Sequence, residues 1–147
     1  MAFTGFAQNN KTKYQIGKTE ETLTPLAGGI ATAEPDFNED TESYAYFDLD
    51  GGTETASTGK TFAYSIEGNR KYGDPAQELI RDIVFGKVSG DVWFQVTEPD
   101  GSVTEGPATV TGIKPYGGDA NNRSALEATI TFIGTPTDTR PTATPKA

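Results

Sequence analysis

Apolar and polar positions alternate along much of this chain, and in one place the period changes. Over residues 60–67, Phe62, Tyr64 and Ile66 take one side and Thr61, Ala63 and Ser65 the other. That is the pattern of a half-buried strand. Residues 91–97 repeat it, with Val92, Phe94 and Val96 opposite Trp93 and Gln95. Between these strands, Asp74-Pro75-Ala76-Gln77 has the chemistry of a helix start. Asp74 can accept from the free amides of the first turn, Pro75 suits the first helical position, and Gln77 can reach back to the cap. Ala76, Leu79, Ile80, Ile83 and Val84 follow at helical spacing, with Gln77, Glu78, Arg81 and Asp82 toward water. Gly86 is a left-handed stop. The spacing predicts one helix, at about residues 75–85, set among strands.

The remaining elements are shorter. Residues 11–18 read as a short basic strand, and Leu23 and Leu26 flank Pro25 before a Gly28-Gly29 turn. A weak strand is expected near Ile30 and another over residues 43–49. Residues 50–59 read as a long polar loop, of the kind that often binds or becomes ordered on a partner. Glu98-Pro99-Asp100-Gly101 is a tight turn. Residues 103–113 return as a strand broken near Gly106-Pro107, where a proline marks an edge or a bulge. Residues 116–123 form a loop, and residues 126–133 the last strand. A single β domain over residues 11–134 is expected, between a loose arm at residues 1–10 and a Thr- and Pro-rich tail at residues 135–147.

Composition agrees with one strand-rich domain. The 147 residues are enough for one core, and 22 Thr with 17 Gly favour short strands and turns. With no Cys, disulfides, thiolate catalysis and cysteine-bound zinc are excluded. With no His, the usual general base and commonest metal ligand are missing. No apolar run reaches the ~18 residues of a membrane span, and residues 1–5 lack the pattern of a secretion signal. A soluble protein made in a cytosol is expected.

Charge carries more information. The net charge of −9 disfavours a grip on nucleic acid. Ten of the 21 acids lie within residues 19–59, which hold no Lys or Arg. Glu34, Asp36, Glu39, Asp40 and Glu42 are crowded there, followed by Asp48, Asp50 and Glu54. A solvated face is the commoner reading. The sharper one is a surface that repels phosphate or meets a basic partner. Lys11, Lys13 and Lys18, with the pair Arg70-Lys71, are the candidate basic contacts.

Motifs of chemistry fail on inspection. Gly59-Lys60-Thr61 lacks the earlier glycine of a phosphate loop, since position 54 is Glu, and it precedes a strand. Asp48-Leu49-Asp50-Gly51 has Gly59 where a calcium loop closes with Glu, so a polar turn outweighs a loose site of Asp48, Asp50 and Glu54. Asn10-Lys11-Thr12 and Asn122-Arg123-Ser124 match the glycosylation acceptor without a secretion signal. No catalytic residue, cofactor or metal site is assigned.

Several stretches in order carry a resemblance. They are Glu34-Pro35-Asp36-Phe37-Asn38-Glu39-Asp40 before Tyr44 and Tyr46, and the run from Phe62-Ala63-Tyr64-Ser65-Ile66 through Arg70-Lys71 to Asp74-Pro75-Ala76-Gln77. Pro99-Asp100-Gly101, Gly106-Pro107-Ala108, Gly117-Gly118-Asp119 and Phe132-Ile133-Gly134 follow. Over about residues 30–136 this order resembles the major tail protein, or tail tube protein, of long-tailed bacteriophages. The resemblance implies a mainly β fold, a β-sandwich or half-barrel of antiparallel strands with one flanking α-helix. It also implies a non-enzymatic virion protein, assembled in the bacterial cytoplasm. Such subunits join into rings, usually hexameric, stacked around a tape-measure protein. Terminator and tail-tip proteins close the ends, and DNA transits the lumen without specific binding. The acidic residues 34–54 would then face the lumen or a ring interface, and the basic ones an adjacent ring. Competing readings are a phage decoration or tail-terminator protein, or a monomeric carbohydrate-binding module using Trp93 and exposed tyrosines.

Overall fold

The computed structural model describes residues 5–140. The strands are β1 (Lys13–Gly17), β2 (Thr24–Pro25), β3 (Ile30–Ala45), β4 (Thr53–Asn69), β5 (Asp91–Thr97), β6 (Val103–Lys114), β7 (Ala125–Phe132) and β8 (Thr137–Thr139). One helix, α1 (Pro75–Val84), lies between β4 and β5. All strand pairs are antiparallel and form one sheet in the order β2-β1-β5-β6-β7-β4-β3, with β8 beside the start of β6. The fold is mainly β with a single helix, as expected. The sheet is open, and the strands do not split into two sheets of a sandwich.

The sheet curls strongly. Tyr14 on β1 and Tyr64 on β4 are four strand steps apart, which in a flat sheet is roughly 19 Å. Their rings lie 6.2 Å apart, edge to face. Phe94 and Phe132 join them, with Tyr64 at 5.3 Å from Phe94 and 5.9 Å from Phe132. The concave face holds the core: Ile16, Ile66, Val92, Phe94, Ala108, Ile130 and their neighbours. Helix α1 closes it with Ala76 and Ile80, both fully buried, against β1, β2 and β6.

Local chemistry explains the elements. The Asp74 carboxylate accepts from the Gln77 amide at 3.3 Å, with Pro75 at the first helical position, as the cap reading required. Gly86 follows the helix at φ 74°, the left-handed stop. Pro107 sits where β6 changes partners, after β8 ends at Glu105 and before β7 begins at Ala108. A missing amide costs no ladder bond at that junction.

Four expectations change. The weak strand near Ile30 is a strand of 16 residues. The strand expected over residues 43–49 stops at Ala45, and Phe47–Leu49 is a short 3-10 turn. The loop expected over residues 50–59 is mostly strand, because β4 starts at Thr53. Alternation by Thr, Ser and Glu is as regular as alternation by apolar residues, but it leaves no hydrophobic signal. Finally, part of the expected tail pairs: Thr137–Thr139 forms β8 on β6. The outer ends of the expected arm and tail, residues 1–4 and 141–147, lie outside the described residues.

Candidate functional site

Strand β4 pairs with β7 only over residues 63–69, while its pairing with β3 runs on to Ala45 and Thr53. Residues 37–45 and 53–62 therefore form a two-stranded arm projecting roughly 30 Å from the sheet. None of its residues is buried. The tip turns through Asp50 at φ 47° and Gly51 at φ 87°. Tyr44 and Tyr46 stack there at 6.1 Å, and Phe47 is fully exposed. A free two-stranded hairpin is marginal in water, so such an arm needs a surface to lie on.

Strand alternation sorts the acidic residues. Glu34, Asp36, Asp40 and Glu42 point to one face of β3, and Glu54 joins them from β4 as the partner of Tyr44. That is the convex face, opposite α1 and the core. It continues through Glu67 on β4 and Glu127 on β7, which pair directly. No Lys or Arg from β3 or β4 lies on it. Glu39 falls on the other face, opposite Lys60. Asp48 and Asp50 sit at the tip. The structure thus brings five of the eight candidate acids together and separates three. Among the described residues no group of three His, Cys, Asp or Glu is placed to hold a metal ion.

The candidate bases divide as well. Lys11, Lys13 and Lys18 are exposed around β1, and Lys71 is exposed beyond β4. Arg70 is not a surface contact. Its side chain is fully buried and its Nη2 pairs with Glu78 Oε1 at 2.7 Å. This removes Arg70 from the candidates for an inter-ring contact. The Arg70 bond, then the Gly73 amide, hold the Glu78 carboxyl below its ordinary pKa.

Gln77 was expected to face water and is instead fully buried. Its Nε2 donates to the carbonyls of Gly28 at 2.7 Å and Asn69 at 3.1 Å. Its Oε1 accepts from the Lys71 amide at 2.6 Å and from Arg70 Nη1 at 3.3 Å. One side chain thus ties α1 to both strands at the open end of the β3–β4 pair. The signal was present: Gln77 lies one residue after Ala76 and three before Ile80, on the inward stripe.

Trp93 is half-buried on the convex face, in register with Pro107. It lies on the face of the sheet opposite α1. Facing the core, burial pushes the Tyr64 phenol up to about 12, helped by Tyr14, Glu98 and Asp138. Folding thus favours neutral Tyr64. This contribution is complete below pH 10 and is lost as pH rises from 10 toward 12. Urea midpoints measured between pH 9 and 11.5 should fall, and fall less steeply in Tyr64→Phe. Equal slopes would remove Tyr64 from the account.

Against known proteins, no family model matches the chain, and no curated protein pairs with it in sequence. Solved structures do match. A chain in the tail of an empty gene transfer agent particle, refined with C6 symmetry, superposes with a TM-score of 0.77 at 23% identity, covering 91% of this chain and 99% of that one. A chain in the virion of a native gene transfer agent particle gives 0.71 at 27% identity, covering 90% and 99%. The SPP1 tail tube gives 0.69 at 14% identity, covering 92% and 80%. This is the fold of a tail tube protein. The likeness covers nearly the whole chain, and these neighbours are chains of tails and of a virion. Among the described residues no helix is long and apolar enough to cross a membrane.

Proposed function

We propose that this chain is the repeating subunit of a tail tube, closing into rings by sheet-edge pairing and stacking through its arm and basic patch. One observation carries the reading. Strand β3 is 16 residues long, has no buried side chain and, among the described residues, is paired on one side only. An edge of that length attracts another strand. A ring supplies one for every copy, so that no edge is left. Six copies per ring is the number we adopt, following the C6 symmetry of the gene transfer agent tail.

The convex face then turns toward the lumen. Its carboxylates, Glu34, Asp36, Asp40, Glu42 and Glu54, repel phosphate, so DNA slides without sticking. Before DNA enters, a tape-measure protein fills the lumen, and terminator and tail-tip proteins close the ends. Lys11, Lys13, Lys18 and Lys71 meet the acidic residues of the adjacent ring. Each exposed pair contributes only about 0.2–1 kcal/mol, but the contact repeats around every ring. Lys11→Glu with Lys13→Glu should therefore shorten or abolish tubes seen by electron microscopy, and added salt should weaken wild-type stacking. Tubes of normal length from the double variant would sink the basic-patch contact.

A further inference from the structure

We propose that the aromatic tip of the arm seats in the cleft between β1 and β3 of a second copy. This rests on the tube reading and names the two surfaces that meet. The tip is unusually apolar for an exposed turn. Phe47 is 108% exposed, Tyr46 51% and Leu49 36%, beside the stacked Tyr44. A cluster of this kind at the end of a projecting arm marks an interaction site.

The cleft is the gap the curled sheet leaves between its edges. It has a volume of about 560 Å³ and is walled by Tyr14, Pro25, Leu26, Ala27, Ile30 and Ala33. Its rim carries Lys13 and no carboxylate. The tip carries Asp48 and Asp50 and no base. Apolar surface thus meets apolar surface, and acid meets base. A second cleft of similar size lies farther along the same gap, but Glu98 and Asp138 line it. Those charges repel the tip, so charge selects the first cleft.

The tip cannot reach the cleft of its own chain. Ala33 and Phe47 lie at opposite ends of an extended strand, roughly 40 Å apart. The contact is therefore between copies and heterologous, each subunit giving one tip and receiving one. Such a contact propagates, which suits a ring or a stack.

The wild-type chain has no cysteine, so cross-linking is clean. Phe47→Cys and Ala27→Cys are placed on separate full-length chains, both at exposed positions. Mixed, concentrated and oxidised, they should give a disulfide-linked dimer at least tenfold above either variant alone on a non-reducing gel. Phe47→Ser should raise the concentration needed for assembly at least tenfold with unchanged thermal melting. Ala27→Trp, which plugs the cleft, should match it. Tubes that form from the mixture without the mixed cross-link overturn this docking and leave the tube reading standing. Absence of any assembly by the wild-type chain, even with a tail-tip complex added as nucleus, overturns both.

Discussion

Gln77→Leu should lower the unfolding free energy by about 3 kcal/mol, a large loss for one nearly isosteric change. The reason is satisfaction rather than volume. Leucine fills the space but takes this partner from the Gly28 and Asn69 carbonyls and the Lys71 amide, and leaves Arg70 Nη1 only the Lys71 carbonyl. An unsatisfied buried group costs ~1–3 kcal/mol, and some of these four will recover water. The loss should also be local. Gly28 precedes β3 and Asn69 ends β4, so hydrogen exchange should quicken at residues 29–33 before it does in the β5–β6 pair. Urea unfolding measures the first effect and amide exchange the second. A change under 1 kcal/mol would mean that Gln77 is only filler.

Deleting the arm should do the opposite: leave the fold and abolish assembly. The deletion removes residues 39–60 and joins the facing pair Asn38 and Thr61 through an Asn-Gly turn. No removed residue is buried, and the Phe37–Phe62 ring pair at 5.2 Å remains as the new end of the hairpin. The stability change should stay within about 0.5 kcal/mol, the range of surface changes. Assembly should disappear, because the deletion takes the aromatic tip, half of the free β3 edge and Asp40, Glu42 and Glu54 together. Wild-type tubes from the deleted chain would contradict the role given to the arm.

These two residue sets differ in how well the sequence exposes them. Strands β5 and β7 and the upper half of β4 are legible because Phe, Val and Ile alternate with polar residues, which is what burial on one face requires. Helix α1 is legible from Asp74-Pro75 and the apolar stripe. The arm is not, because none of its positions is buried and hydrophobic alternation has nothing to mark. Its crowding of acids is visible, but the sorting of Glu34, Asp36, Asp40 and Glu42 from Glu39 needs the strand register. Arg70, beside Lys71, reads in sequence as part of a solvated turn or, second, as the partner of an acidic neighbour. Only the fold brings Glu78 to its guanidinium. The cleft is invisible in sequence, since it arises from the curl that sets Tyr14 against Tyr64.

The central claim is that β3 is an edge awaiting another copy. Negative-stain electron microscopy of the concentrated wild-type protein, beside size-exclusion chromatography and with a tail-tip complex added as nucleus, tests it most directly. The account predicts hollow tubes or rings of one diameter with sixfold symmetry. Monomer alone, at high concentration, after long incubation and with the nucleus present, would contradict it.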